Sequence, residues 1–444
     1  MNIELEAREF AINAHRGQVR KSDKQKPMII HPINVANILK EYGFDDNVIA
    51  AGYLHDVVED TKYEINDIKY KFGDDIASLV FGASEPDKSL SWEDRKKHTI
   101  SECKKLDFRH KAIICADKIS NLEDLRILFG IKGECDFSSF KRGFDSQKWY
   151  YTEVYNSLIF NENDKHPMFV RLKELIDSIF YCIDNNDYVK NVIFGDKKDE
   201  FSVVNKIHYR KEEVYKLKKS LIDSRPYVIE FTGTPRTGKT SLINNLKDFF
   251  KKKGFSVIVL EEFTTSDKYK KEIYPILKDK YSNVINTEIP KYVLKQLEDA
   301  VGENPDIIII DRSLFDRLIW VDRLALKNGM SDYEYKSFKE LYVPLIKKKI
   351  DIIVATYADS LTALKRDYNA NLSLEKRNFL NENNINEYNI SLLNMEKLSK
   401  IENINFKLFD TTDKNQREIS FDVIDFILSD MKNKFLDDVR REYL

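Results

Sequence analysis

The chain has 444 residues, 42% hydrophobic and 33% charged, with a formal net charge of −2. That length exceeds one ordinary core of roughly 100–200 residues, so two or three domains are expected. The near-neutral balance gives no electrostatic footprint for duplex nucleic acid or an anionic membrane surface, and no run reaches the ~18 apolar residues of a membrane span.

The N-terminus, MNIELEAREF, is acidic and has no apolar run, so it does not read as a signal peptide. Cys103, Cys115, Cys135 and Cys182 form no CxxC pair. They read as free thiols in a reducing cytoplasm.

Residues 1–190 are predicted to be an almost wholly helical domain. Apolar residues recur at helical spacing, as in Val35, Ile38, Leu39 and in Val48, Ala51, Leu54, Val58. Breakers fall at Pro27, Gly43, Gly73, Pro86, Gly130 and Gly143. Five of the seven histidines precede residue 111. His55 and Asp56 lie in VIAAGYLHDVVEDT, which reads as one helix, with Glu59 and Asp60 one turn further on. Four polar groups on an otherwise apolar helix are costly without a partner such as a metal. His31 in PMIIHPINVANIL and Asp117 in KAIICADKISNLEDL are further candidates, and Asn121 falls one turn after Asp117. Two imidazoles and two carboxylates would make a mixed N/O site, better suited to Mn, Fe, Co or Zn than to Ca or Mg. By spacing alone, the set reads equally as a metal site or as polar residues satisfied inside a helical core.

The segments AREFAINAHRGQVRK, PMIIHPINVANIL, AAGYLHDVVEDT, KFGDDIASLV, SEPDKSLSWEDRKKHTI and ADKISNL, and more loosely GFDSQKWYY, carry a resemblance. Together they resemble the HD hydrolase domain of RelA/SpoT proteins and of their small stand-alone relatives, the metazoan SpoT homologues. The resemblance implies that His31, His55, Asp56 and Asp117 hold a divalent metal, usually manganese in that family. It implies that Glu59 and Asp60 position or activate the attacking water. Arg20 and Lys21 would face the substrate phosphates, and Asn121 would contact the nucleotide. Family members remove pyrophosphate from the 3′ position of guanosine tetraphosphate, and some relatives take other phosphorylated nucleotides. The synthetase domain of the long RelA/SpoT proteins has no recognisable counterpart in this chain.

Residues 191–225 are dominated by charge, with thin apolar content, and read as a helical connector or as a surface helix of either neighbour. From 226 to 444 short apolar strands alternate with helices. YVIEFTG, SVIVLEEF, DIIIID, KIDIIVATYA and INFKLFDTT predict a parallel sheet covered on both faces. The fold class is therefore multidomain: an all-α domain followed by an α/β P-loop domain.

GTPRTGKT, from Gly233 through Gly238, Lys239 and Thr240, fits G-x-x-x-x-G-K-[ST] between a strand and a helix. With Ser241 it would cradle the phosphates of ATP, Lys239 reaching the β- and γ-phosphates and Thr240 binding Mg²⁺. Asp311 ends the third strand as a Walker-B-like carboxylate, and Arg312 follows it. This Asp-Arg pair resembles the motif of thymidylate and deoxynucleoside kinases, in which the Arg contacts substrate phosphate. In those families a carboxylate after the second strand, here Glu261 or Glu262, meets the phosphoryl acceptor. Arg366 and Arg377 match the lid, as phosphate clamps or as part of a solvated face. The residues after Arg312 and the sparse arginines of the lid depart from close thymidylate kinases.

The sequence thus reads as a bifunctional nucleotide enzyme, an HD phosphohydrolase fused to a P-loop kinase, with small-molecule nucleotides as its partners. The alternative is a stress or phage-defence sensor in which the P-loop domain gates the hydrolase. Nucleic-acid end processing is weaker, because no basic stripe interleaved with aromatics is present. The charged connector predicts two chemically independent sites.

Overall fold

The computed structural model describes residues 2–20, 23–84, 89–133, 135, 137–138, 142–181, 194, 197–222, 224–267, 269–277, 282–371 and 380–444. Two compact units result: Met1–Ile222 with Lys432–Leu444, and Asp223–Met431. The boundaries expected from sequence, at 190 and 225 with a second domain running to 444, differ from this division. Lys21, Pro86, Cys182 and Arg377 lie outside the described residues.

The first unit is helical, as its apolar spacing predicts. In order come α1 (Ile3–Ala14), α2 (Ile30–Glu41), α3 (Asp46–Leu54), α4 (Val57–Asp60), α5 (Ile65–Ala83), α6 (Trp92–Cys103), α7 (Phe108–Lys132), α8 (Gly143–Leu158), α9 (Pro167–Phe180) and α10 (Lys198–Ser220). Local signals set the ends. Asp45 caps α3 by accepting from the amides of Asn47 and Val48. Gly73, at φ 88°, kinks α5. The core is α2, α3 and α7, where Ile33, Leu39, Val48, Leu54, Ile119 and Leu122 are fully buried.

The charged segment, read as a connector or as a surface helix of a neighbour, packs as a helix of the first unit. From residue 198 to 220 it is α10, packed on α7. Ile207, Val214 and Leu217 are buried. Glu213 pairs with Lys26 at 2.8 Å, and Lys216 with Asp124 at 2.8 Å. The charges that suggested an exposed linker are partnered inside the unit. At Gly130 a Cβ would sit 1.8 Å from the Tyr209 ring, so this glycine permits the close approach of α7 and α10.

The second unit holds β1 (Tyr227–Gly233), α11 (Lys239–Lys251), β2 (Val257–Leu260), α12 (Tyr274–Leu277), α13 (Ser282–Gly302), β3 (Ile307–Asp311), α14 (Leu314–Leu326), α15 (Asp332–Lys349), β4 (Ile352–Tyr357), α16 (Ser360–Asn371), α17 (Glu382–Glu402), β5 (Phe406–Asp410) and the start of α18 (Gln416–Tyr443). The sheet order is β2-β3-β1-β4-β5, all parallel. Ile229 lies opposite Ile309 on one side and Ile352 on the other. These central strands are buried on both faces, hence their unbroken apolar runs. The crossover changes side at β1, so the loop after β1 opens at the switch point where such sheets bind ligands. No helix among the described residues is long and apolar enough to cross a membrane.

Residues 432–444, the end of α18, belong to the first unit. There Phe435, Val439 and Tyr443 are buried, Lys432 pairs with Glu213 at 3.0 Å, and Arg440 donates to the Gln25 carbonyl at 2.9 Å. Phe435→Ala should therefore destabilise the helical unit by about 3–5 kcal/mol, the cost of emptying a buried aromatic site. Thermal unfolding of the full chain checks this: an unshifted transition for the helical unit would rule out the packing of its C-terminal segment.

Candidate active sites

In the first unit the helix expected through His55 and Asp56 is broken there. His55 ends α3 and Asp56 precedes α4, with Asp56 at φ −92°, ψ −8°. The turn lets two adjacent side chains face one point, which a straight helix would hold about 100° apart. α2 supplies His31 and α7 supplies Asp117. Ligand atoms of His31, His55 and Asp117 lie within 4.8 Å of one another. Asp56 joins them, its carboxylate 3.3 Å from His55 Nε2 and 3.7 Å from His31 Nε2. All four residues named from sequence are thus brought together.

The tautomers follow from the partners. His55 Nδ1 donates to the Gly52 carbonyl at 2.8 Å, which leaves Nε2 as a lone pair. That Nε2 is buried and has no hydrogen-bond partner. An imidazole pinned at Nδ1 with its other nitrogen bare fits a metal ligand. Burial, aided by Arg20, holds His31 below the usual imidazole range. Burial opposes charge on His55 too, but Asp56 and Asp117 raise it overall. Burial opposes charge on the partly buried Asp117, yet Lys118, His31 and His55 keep its carboxyl well below the usual range.

Around this set, Asn121 donates to Asp117 at 2.6 Å, and Arg20 reaches Asn121 at 3.2 Å and Asp124 at 3.4 Å. Glu59 and Asp60 follow on α4, both partly buried. Sequence reasoning missed Asp124, Ser120 and Lys118. Asp124 had a signal, since it lies one turn beyond Asn121 on the face of α7 that carries Asp117. Ser120, which meets His31 Nδ1 at 3.1 Å, had none.

In the second unit the loop 233–238 links β1 to the N-terminus of α11. Gly233, at φ 135°, allows close approach, because a Cβ there would sit 2.1 Å from the Thr356 carbonyl. Lys239 Nζ donates to Asp311. Thr240 and Ser241 are exposed in the first turn of α11, so their hydroxyls are open to an incoming group. Arg312 has φ 61°, a left-handed backbone held by its surroundings. Its guanidinium pairs with Asp316 at 2.8 Å and Glu262 at 3.4 Å, and donates to Tyr388 at 3.1 Å and the Gly233 carbonyl at 2.9 Å. Glu262, rather than the exposed Glu261, meets Arg312. Arg366 donates to the Thr411 and Thr412 carbonyls and the Thr411 hydroxyl, so its guanidinium is engaged with the loop after β5. Asp316 and Tyr388 were missed; Asp316, four residues after Arg312, carried a signal, and Tyr388 carried none.

Glu230, fully buried on β1, accepts from the backbone amides of Ser313, Phe315 and Asp316 at 2.8–3.1 Å. It caps the first turn of α14 directly after Arg312. Burial, offset in part by those three donors, pushes its carboxyl up to about 7.

Fold and site define the first unit as an HD domain. A family model described as "HD domain" matches residues 7–128. Over 125 residues the chain is 39% identical to the guanosine-3′,5′-bis(diphosphate) 3′-pyrophosphohydrolase of Drosophila melanogaster, covering 28% of this chain and 69% of that one. It is 37% identical over 125 residues to a probable guanosine-3′,5′-bis(diphosphate) 3′-pyrophosphohydrolase of Synechocystis, covering 27% of this chain and 16% of the relative. Through its first unit the chain belongs to this pyrophosphohydrolase family. A solved deoxyadenosine kinase from M. mycoides is 20% identical, with a TM-score of 0.33, over 46% of this chain and 98% of its own. That likeness carries no argument by itself, and the second unit is read from its own geometry.

The Glu230 carboxyl yields a pH prediction. Its folded value lies above the usual value of 4.5, so its contribution to stability is fully present below pH 4.5 and is lost as pH rises through about 7. Glu230→Gln should remove one proton's worth of slope from the stability of the second unit between those limits. Denaturant unfolding of parent and variant at pH 4.5, 6 and 7.5 checks the sign. Parallel pH profiles would show that Glu230 does not titrate in that window.

Proposed function

We propose that the first unit is a metal-dependent phosphohydrolase that removes pyrophosphate from the 3′ position of guanosine tetraphosphate or a closely related nucleotide. The observation that carries this reading is the bare, buried Nε2 of His55 beside His31 and Asp117, with Asp56 at their edge. His31, His55, Asp56 and Asp117 would hold a divalent transition ion, manganese by family resemblance. When bound, such an ion lowers the pKa of its water toward neutrality. Glu59 and Asp60 would orient that water and take its proton. Arg20 and Asn121, joined at 3.2 Å beside Asp117, would meet the substrate's phosphates and nucleoside, and Lys21 would add a second cation. The family membership supports the same chemistry.

The second unit is read as an ATP- and Mg²⁺-dependent kinase for a nucleoside or nucleotide. The loop from Gly233 to Gly238 with Lys239, Thr240, Ser241 and Asp311 would bind Mg²⁺–ATP. Glu262 and Arg312, paired at 3.4 Å, would hold the acceptor, with Arg377 of the lid region as a further phosphate contact; Arg366 is instead engaged by the Thr411 and Thr412 carbonyls. A pure occupancy switch has no need of that pair. One observation favours the gating alternative: the chain leaves the first unit at residue 222 and returns at 432. The second unit is therefore an insertion in the chain of the first, so both of its ends join segments that belong to the first unit.

Asp56→Ala should abolish both metal retention and hydrolysis, read by metal content and pyrophosphate release. A chelated parent that stays fully active would exclude the metal. Glu59→Gln should keep the metal and lose ~10²–10⁴-fold in turnover, the worth of a general acid–base group. Unchanged turnover removes Glu59 from the chemistry.

Lys239→Ala separates the two readings of the second unit. If the sites are independent, this variant loses ATP binding and its hydrolysis stays within about threefold of the parent, with or without ATP. If the second unit gates the first, ATP changes the parent's hydrolysis by about 5–150-fold and leaves the variant's untouched.

A further inference from the structure

His15 and Gln18 reach the acidic pair of the first site through a chain of two hydrogen bonds. His15 is 1% exposed and ends α1. Its Nδ1 lies 2.9 Å from Gln18 Oε1. Gln18 Nε2 donates to the Asp60 carbonyl at 2.8 Å. A carbonyl only accepts, so the Gln18 NH₂ must face Asp60 and its oxygen must face His15. His15 is thereby fixed as the Nδ1–H tautomer.

The Asp60 carbonyl closes the four-residue α4, and the chain turns extended at Thr61, φ −129°, directly after it. The other end of the same turn is anchored at Asp56, whose carbonyl accepts from the Asp60 amide at 2.9 Å. Glu59 and Asp60 thus ride on a short turn held at Asp56 on one side and by Gln18 on the other. Gln18 also starts the loop that carries Arg20: its carbonyl accepts from the Met28 amide at 2.9 Å, and the Arg20 amide donates to Lys26 at 2.8 Å.

We infer that Gln18, oriented by His15, is a positioning residue that sets the Glu59–Asp60 turn relative to the Arg20 loop. The inference rests on the hydrolase reading of this site. Among the described residues Gln18 makes its side-chain hydrogen bonds to His15 and to the Asp60 carbonyl, not to His31, His55, Asp56 or Asp117, so it acts through Asp60. A displacement of ~1 Å at a general base costs on the order of 10²-fold in rate, so one side-chain hydrogen bond at this place bears on turnover.

The test is steady-state pyrophosphate release from guanosine tetraphosphate by the full, manganese-loaded chain. Gln18→Glu keeps the oxygen that meets His15 and replaces the donor facing Asp60 by a second acceptor. It should lower kcat by roughly 10- to 100-fold, with KM within about threefold and metal content per chain unchanged. Gln18→Met, similar in length and free of charge, gives the same measurement should the glutamate variant not fold. His15→Phe should act in the same direction, with a smaller loss. In a Glu59→Gln background, which removes the proton acceptor that the turn places, the Gln18→Glu penalty should shrink to about twofold or less, because the two act through one element.

A Gln18→Glu enzyme with parental kcat overturns the inference, as does a loss of metal in step with rate. An undiminished penalty in the Glu59→Gln background shows a general structural role and overturns it equally. A parent chain that releases no pyrophosphate sinks the hydrolase reading and this inference together. An active parent with an indifferent Gln18→Glu variant sinks the positioning role alone.

Discussion

A carboxylate taken out of water must be met by positive charge or by hydrogen-bond donors, and both units are organised around that requirement. In the first, Asp117 on α7 is shared among His31, Lys118 and Asn121. Those partners fix where α2 and α7 meet and where Arg20 reaches. In the second, Asp316 is fully buried between Arg312, Arg317, Thr232 and Tyr388. Glu230 meets the same need with three backbone amides and so sets the turn from which Arg312 departs. The groups that would perform chemistry in each unit are held as by-products of satisfying buried acids.

The helix 198–220 shows the same rule away from any site. Nearly half of its residues are charged, the mark of a solvated segment. Its Glu213 is 5% exposed and lies between Lys26 and Lys432, and its Lys216 lies between Glu123 and Asp124. Each charge on this face has an opposite charge waiting on the helical unit. Burial of Val214 and Leu217 then proceeds without stranding an ion. A small cleft is lined by Arg20, Lys26, Asn34, Asp124, Glu213 and Lys216, so this ion-pair network borders the residue expected to face substrate phosphate.

That network also gives the insertion its consequence. Residues 198–222 and 432–444, on either side of the second unit in the chain, both belong to the first unit, and both supply partners to the Lys26 loop, Glu213 to Lys26 and Arg440 to the Gln25 carbonyl. The loop that carries Arg20 and Lys26 therefore depends on residues from either side of the insertion.

The sequence by itself determined the local facts: helices from 3.6-residue spacing, strands from short apolar runs, the parallel sheet from their alternation, and the P-loop from its glycines. It also placed His31, His55, Asp56, Asp117, Glu262 and Arg312 in the sites where the structure gathers them. Only the tertiary structure decided how the pieces are partnered. It broke the expected helix at His55–Asp56 so that adjacent side chains converge. It turned Arg366 onto the Thr411 and Thr412 carbonyls, made a connector into a core helix, and brought Tyr443 to Ser220 across 223 positions. The reason is physical. Periodicity and turn chemistry are set by neighbours in the chain and can be read from it. Whether a charged or polar side chain is solvated, ligating or structural depends on the opposite group it meets, and that group comes from a distant segment only once the core has closed.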